Sequence, residues 1–319
     1  MSPMQTAFTI ATRGSPLALA QARMTQGLLA RALGIPEADM DARFPLLVLK
    51  TTGDRVQDRL LAEAGGKGLF TKELEEALLS GRADLAVHSL KDLPTRLPPG
   101  LYLAAVLERE DPRDVLIANG LTRLSQLPQG AVLGTASVRR AAQALAQRPD
   151  LRIAPLRGNV ETRLAKIAGG DADATFLAAA GLRRLGMVSL AADPLSPDEM
   201  LPAATQGIVG LEAREGDARV ADALALIDHA PSGVAGAAER GVIDALDGSC
   251  RTPVAALAEL NGDTLRLRAE ALTPDGQRAW RRDATITLGA DPRATAQALG
   301  ERFGREIRAE AGGALEWIA

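Results

Sequence analysis

Arginine recurs in this chain where strands give way to helices. ATRGSP places Arg13 and Ser15 between an apolar segment and a proline-started helix, and GTASVRR places Thr135, Ser137, Arg139 and Arg140 in the same setting. Helix N-termini present unpaired amide donors and a partial positive charge. A guanidinium beside them can grip a carboxylate or phosphate through charge-assisted bonds of about 1.5–3 kcal/mol each. Taken singly, Ser15 and Ser137 read as helix caps; their repetition in the same device shifts the weight towards anion binding. Arg157 in PLRGN, Arg163 one turn into the next helix and Arg184 in AGLRRLG follow the ends of successive strands, the edge at which open α/β sheets bind ligands. Each alone reads as a solvated surface charge, and together they fit a substrate with several carboxylates.

GGKGLF surrounds Lys67 with glycines but lacks the spacing of a Walker phosphate loop, which leaves a mobile flap or an ordinary turn. In AVHSLKDLP, Lys91 and Asp92 directly follow a strand. Asp92 reads either as a structural partner of Lys91 or as a catalytic carboxylate at the sheet edge. His88, inside that apolar strand, reads as a core histidine. Cys250 is the single cysteine and lies in a loop, ALDGSCRTPV, beside Arg251. A lone cysteine is usually a small buried hydrophobe, with covalent attachment or nucleophilic work as the alternative.

Such residues need a scaffold that gathers strand ends. Residues 8–12 predict a strand, followed by a helix from Ser15-Pro16 to about Leu33. A strand at 46–51, a helix at 71–80 stopped by Gly81 and a strand at 84–89 follow. After the charged stretch EREDPRD (108–114), which reads as a hinge, the alternation restarts: strand 131–135, helix to about 148, strand 151–154, helix 159–168, strand 174–178, helix 179–185. Apolar strands alternating with helices predict parallel α/β sheets covered on both faces. Beyond a Pro-rich connection at 193–202 and a strand at 208–213 the pattern changes. A helix at 232–246, three alternating segments at 254–260, 265–271 and 279–287, and a helix at 292–310 predict a small α+β domain with a three-stranded antiparallel sheet.

Composition narrows the function. The chain has 319 residues, 46% hydrophobic and 24% charged, enough for two or three domains and too apolar for disorder. Thirty-seven Lys+Arg against 40 Asp+Glu leave a net charge of −3, which lacks the basic field of a nucleic-acid binder. Two distant histidines and one cysteine argue against a metal site. No apolar run is long enough for a membrane helix and the start resembles no signal peptide, so a cytoplasmic location is expected.

These blocks, with LPAATQGIVGLE and the segment from Glu239-Arg240 through GSCRTPVA, together resemble the hydroxymethylbilane synthase (porphobilinogen deaminase) family, in order and spacing, over nearly the whole chain. The resemblance implies two periplasmic-binding-protein-like (type II) α/β domains with the active site in the cleft between them, plus the third domain. Expected boundaries are 1–108 with about 203–228, 109–202, and 229–319. It implies a dipyrromethane cofactor held by Cys250 through a thioether, onto which four porphobilinogen units condense head to tail with loss of ammonia before hydrolysis releases hydroxymethylbilane. Asp92 matches the catalytic aspartate. Lys91, Asp92, Thr135 and Ser137, with Arg139, Arg140, Arg157 and Gly158, match cofactor-binding positions. Arg13, Ser15, Lys67, Arg163, Arg184 and Gln206 match substrate-binding positions. The family expectation is a monomer that needs no metal, nucleic acid or membrane. Two other readings compete: a two-lobed anion-binding module, which leaves Cys250 unexplained, and a cysteine-nucleophile transferase, for which only His88 and His229 are available as bases.

Overall fold

The computed structural model describes residues 7–55, 68–246 and 253–318. In chain order it forms β1 (Ile10–Arg13), α1 (Pro16–Ala32), α2 (Met40–Arg43), β2 (Leu46–Leu49), α3 (Thr52–Arg55), α4 (Lys72–Leu79), β3 (Leu85–Ser89) and β4 (Leu101–Val106). There follow β5 (Asp114–Ile117), β6 (Val132–Gly134), α5 (Val138–Gln147), β7 (Arg152–Ala154), α6 (Val160–Ala168), β8 (Ala174–Ala178) and α7 (Ala179–Arg184). The last elements are β9 (Val209–Arg214), α8 (Ala218–Ala225), α9 (Ala230–Ala245), β10 (Val254–Asn261), β11 (Thr264–Leu272), β12 (Ala279–Thr287) and α10 (Pro292–Ala311).

Contacts divide the described residues into two units, the first made of 7–55, 68–109 and 208–233, the second of 110–207, 234–246 and 253–318. The first unit holds a five-stranded sheet in the order β2-β1-β3-β9-β4. Both of its faces are covered. Phe8, Ile10, Leu29, Leu85, Val87 and Leu211 pack on one side, and Ala11, Leu74, Leu78 and Ala86 on the side of α4. α1 illustrates why: its buried residues Ala18, Gln21, Ala22, Thr25, Gln26, Leu29 and Ala30 repeat at helical spacing along one face, and Ser15 and Pro16 start it as a cap and a first-turn proline do.

The second unit holds a four-stranded sheet in the order β5-β8-β6-β7 and the meander β10-β11-β12. Leu133, Phe176, Ala144 and Met200 fill one core, and α9 and α10 pack on the meander through Val242, Leu267, Phe303 and Ile307.

The two larger sheets are mixed, which corrects the expectation of parallel ones. β1 runs parallel to β2 and β3, but β9 is antiparallel to β3 and β4. Likewise β6 is parallel to β7 and β8, and β5 is antiparallel to β8. In each sheet one reversed strand joins beside the third of three parallel strands, and in the first sheet β4 pairs on the far side of it. The reversed strand β5, as well as β4 and α8, fall where the sequence reading placed no element.

Candidate active site

In the first unit the carboxyl ends of the neighbouring strands β1 and β3 gather four of the anticipated residues. Arg13 is the last residue of β1. Ser15 follows it and accepts from the amide of Ala18 at 3.3 Å, so it caps α1 in fact. β3 leads straight into a single 3-10 turn, Leu90–Asp92, buried at Leu90, which leaves Lys91 exposed and Asp92 half-buried. The end of β3 is tied to α1 by Gln21 Nε2, which donates to Ser89 Oγ at 2.9 Å. Among the described residues no hydrogen bond or ion pair engages the Asp92 carboxylate. Asp92 is thus held at a sheet edge by backbone and core, with its charge uncommitted.

Below this turn His88 is buried and bonds Glu212 through Nε2 at 2.9 Å, as a core histidine should. Glu75 of α4 faces the same pair, and burial raises its carboxyl above the ordinary range.

In the second unit the carboxyl ends of β6, β7 and β8 gather nine more. Thr135 Oγ1 accepts from the amide of Ser137 at 3.1 Å, and Ser137 Oγ accepts from the amide of Arg140 at 3.4 Å, capping α5. Arg157 and Gly158 sit between β7 and α6. Arg157 keeps Nε and Nη2 buried without a partner among the described residues, a costly state unless a ligand acceptor completes it. Gly158 has φ +120°, and a Cβ there would fall 2.6 Å from Cγ2 of Thr162, so only glycine lets the backbone turn this tightly into the helix. Arg163 donates from Nε to the Gly158 carbonyl at 2.9 Å, and Arg184 donates to the Gly207 carbonyl at 2.6 Å. Burial lowers the Arg184 guanidinium from its ordinary range against the pull of Glu110.

Three of the anticipated ligand contacts lie deeper than a sheet edge. Arg139 and Arg140 are 4% and 6% exposed and share the fully buried Asp114, each from Nη2 at 2.7 Å. Arg139 also donates to the Leu201 carbonyl at 2.7 Å, and Arg140 to the Phe176 carbonyl at 2.9 Å. Gln206, 1% exposed, donates to Asp114 Oδ1 at 2.8 Å and to the Pro112 carbonyl at 2.7 Å. Within this cluster the Arg140 Nε is buried and has no partner among the described residues. Burial would push the Asp114 carboxyl up, but Arg140 and Arg139 outweigh it and hold it below the usual carboxylate range. Asp114 is the residue that sequence reasoning missed. The available signal was an aspartate opening the apolar strand DVLI, where a solvent charge has no place.

Lys67 and Cys250 lie outside the described residues. The first unit offers a carboxylate and an arginine at its sheet edge, a pair that can face a cationic centre and an anionic group. The second offers edge-seated guanidiniums that can receive anionic groups.

Comparison with known proteins agrees. Residues 8–222 match the family model described as porphobilinogen deaminase, dipyromethane cofactor binding domain, and residues 235–309 match the porphobilinogen deaminase C-terminal domain. The chain is 53% identical over 316 residues to the porphobilinogen deaminase of Caulobacter vibrioides, covering 98% of each. It is 50% identical over 311 residues to that of Paracoccus denitrificans, covering 98% of this chain and 96% of the other. Among solved structures it is similar to the Bordetella pertussis BvgS VFT2 domain (17% identity, TM-score 0.41, 71% of this chain and 87% of that one). A periplasmic binding protein from Brucella ovis with glutathione bound gives 17% identity and TM-score 0.39, over 77% and 74%.

Proposed function

The chain belongs to the porphobilinogen deaminase family, and from that premise we propose which of its residues carry the reaction. The family's activity is that of a hydroxymethylbilane synthase, a transferase that joins four porphobilinogen molecules into a linear tetrapyrrole on a dipyrromethane cofactor. When bound, the cofactor supplies the pyrrole carbon from which the chain is extended and remains with the enzyme as product leaves. The residues present fit such a group. A polycarboxylate satisfies the buried, unpartnered donors of Arg157 and the Nε of Arg140, and Gly158 leaves room for close approach at that edge. Cys250 is the thiol to which the group is attached. Lys91, Thr135 and Ser137 add donors for it.

Asp92 carries the chemistry. Its carboxylate stands half-buried and unengaged among the described residues, ready to face the positive charge that develops on a porphobilinogen ring as ammonia departs. It can also accept the proton that the pyrrole must lose. Arg13, Ser15, Lys67, Arg163 and Arg184 receive acetate and propionate groups of the incoming substrate. Arg139 and Gln206 act one step back, since their bonds to Asp114 hold Arg140 in place. The protein works as a cytoplasmic monomer with no metal; among the described residues no helix is long and apolar enough to cross a membrane.

The observation that carries this reading is the uncommitted Asp92 carboxylate at a sheet edge shared with Arg13. Asp92→Asn should keep its cofactor and lose about 100-fold or more in kcat, the effect of removing one fixed stabilising group. An Asn variant within about fivefold of the parent would remove Asp92 from the chemistry.

A further inference from the structure

Strand β6 ends on a glycine that the structure uses for its missing side chain. Gly134 keeps register with Ala154 of β7 and Thr175 of β8, and its carbonyl accepts from Thr175 Oγ1 at 2.7 Å. A Cβ there would fall 2.6 Å from Cδ1 and 3.0 Å from Cβ of Leu156, and 3.0 Å from Cβ of Ala172. Carbons in favourable contact stand about 3.5–4.0 Å apart. The end of a side chain can swing aside, but the two Cβ carbons move only with their backbone. Beyond β7 the chain thus passes through Pro155 and returns over β6. Leu156, 3% exposed, sits on Gly134 among Ile167, Ala172 and the partly buried Ile117 and Val132. A glycine within a strand often marks such a close approach.

Two ligand-binding segments meet at this contact. Thr135 follows Gly134 and donates its amide to the Ala154 carbonyl at 2.8 Å, with Ser137 and Arg140 next at the start of α5. Arg157 follows Leu156, and its buried Nε and Nη2 have no partner among the described residues. Those donors take their position from the backbone that carries them, and Leu156 anchors that backbone. We propose that Gly134 is a positioning residue for Arg157: by leaving room for Leu156 on the end of β6, it draws Arg157 towards the strand that continues into Thr135 and Ser137. An anionic ligand then meets donors from both segments. This rests on the reading of Arg157 as a cofactor-binding residue. A bare position at 134 and a leucine at 156 form one requirement, which ties GTASVRR to PLRGN.

The test is a double-mutant cycle on the full chain prepared without cofactor and loaded with preformed hydroxymethylbilane. Intact mass reads the concentration that loads half the protein in a fixed time. One charge-assisted bond corresponds to about 10- to 150-fold. Gly134→Ala should raise that concentration about 10-fold or more, as should Arg157→Ala. The double variant should need no more than Arg157→Ala alone, because no guanidinium remains to be placed. The thermal destabilisation caused by Gly134→Ala should be the same in both backgrounds, which separates placement of Arg157 from a general weakening of the unit. If the two loading losses multiply, or if Gly134→Ala stays within twofold of the parent, the proposal is overturned while Arg157 keeps its role. If Arg157→Ala leaves loading unchanged, the reading of Arg157 fails and the proposal falls with it. Should Gly134→Ala fold poorly, Leu156→Val alters the same seat from the other side and carries the same comparison.

Discussion

Replacing Asp114 by asparagine keeps the shape of the side chain and removes the charge that two buried guanidiniums share. The carboxylate is fully buried and accepts at 2.7 Å from Nη2 of Arg139, at 2.7 Å from Nη2 of Arg140 and at 2.8 Å from Gln206. At an effective dielectric of 20, a charge about 4 Å from each guanidinium centre attracts it by about 4 kcal/mol. Desolvation opposes this in the intact cluster, but in the variant it remains for both arginines with nothing to offset it. Removing one partner of a buried pair costs about 3–5 kcal/mol, and that is the loss expected here. Both tryptophans, Trp280 and Trp317, belong to the same unit as Asp114, so urea unfolding followed by tryptophan fluorescence reads the affected unit. The stability contributed by this low-titrating carboxylate is complete above the ordinary aspartate value of 3.8 and is lost as pH falls through its folded value. The two proteins should therefore converge only in strong acid. A loss below about 1 kcal/mol, the size typical of exposed pairs, would refute the argument that this cluster holds the second unit together.

Glu75 should behave in the opposite sense. Its carboxyl is raised above the ordinary 4.5 by burial, so the stability it adds is present at low pH and lost as pH rises through the folded value. Glu75→Gln is expected to match the parent near pH 4 and exceed it in thermal stability at pH 7; a gap independent of pH would contradict this. Arg157→Ala removes donors that have no partner among the described residues. It should leave the unfolding temperature within about 2 °C, a loss under about 1 kcal/mol, while weakening cofactor loading about 10-fold or more, read from the intact mass, the worth of a charge-assisted bond. A large thermal loss with cofactor loading unchanged would make Arg157 structural.

Most helices and the parallel strands were legible because their causes are local. Ser15-Pro16 starts α1, Gly81 follows the end of α4, and apolar runs such as ATFLA have one reading. The strand β5 was not, because EREDPRD looks like a solvent-exposed hinge until Asp114 meets Arg139 and Arg140, 25 and 26 residues further on. That pairing is tertiary, and no local period announces it. The same holds for the reversed strands, whose direction depends on where the chain returns after crossing to another sheet. At the site, residue types and strand-end positions foretold where Arg13, Asp92, Arg157 and Arg184 lie. They did not foretell that Arg139 and Gln206 are turned inward, nor that Leu156 rests on Gly134. Arg139 and Arg140 are equally buried and share Asp114, and only the Nε of Arg140, without a partner among the described residues, sets them apart; adjacent arginines in one helix carry no sign of that difference.

The central claim is that this chain builds a tetrapyrrole on a primer attached to Cys250. The most direct test is the intact mass of the denatured protein before and after brief incubation with porphobilinogen, with peptide mapping of the adduct. The account predicts a mass excess of two pyrrole units at Cys250 that grows in single-pyrrole steps with substrate, and that Cys250→Ala never acquires it. An unmodified mass that stays unmodified even after preformed hydroxymethylbilane is supplied, or an adduct at another residue, would contradict it.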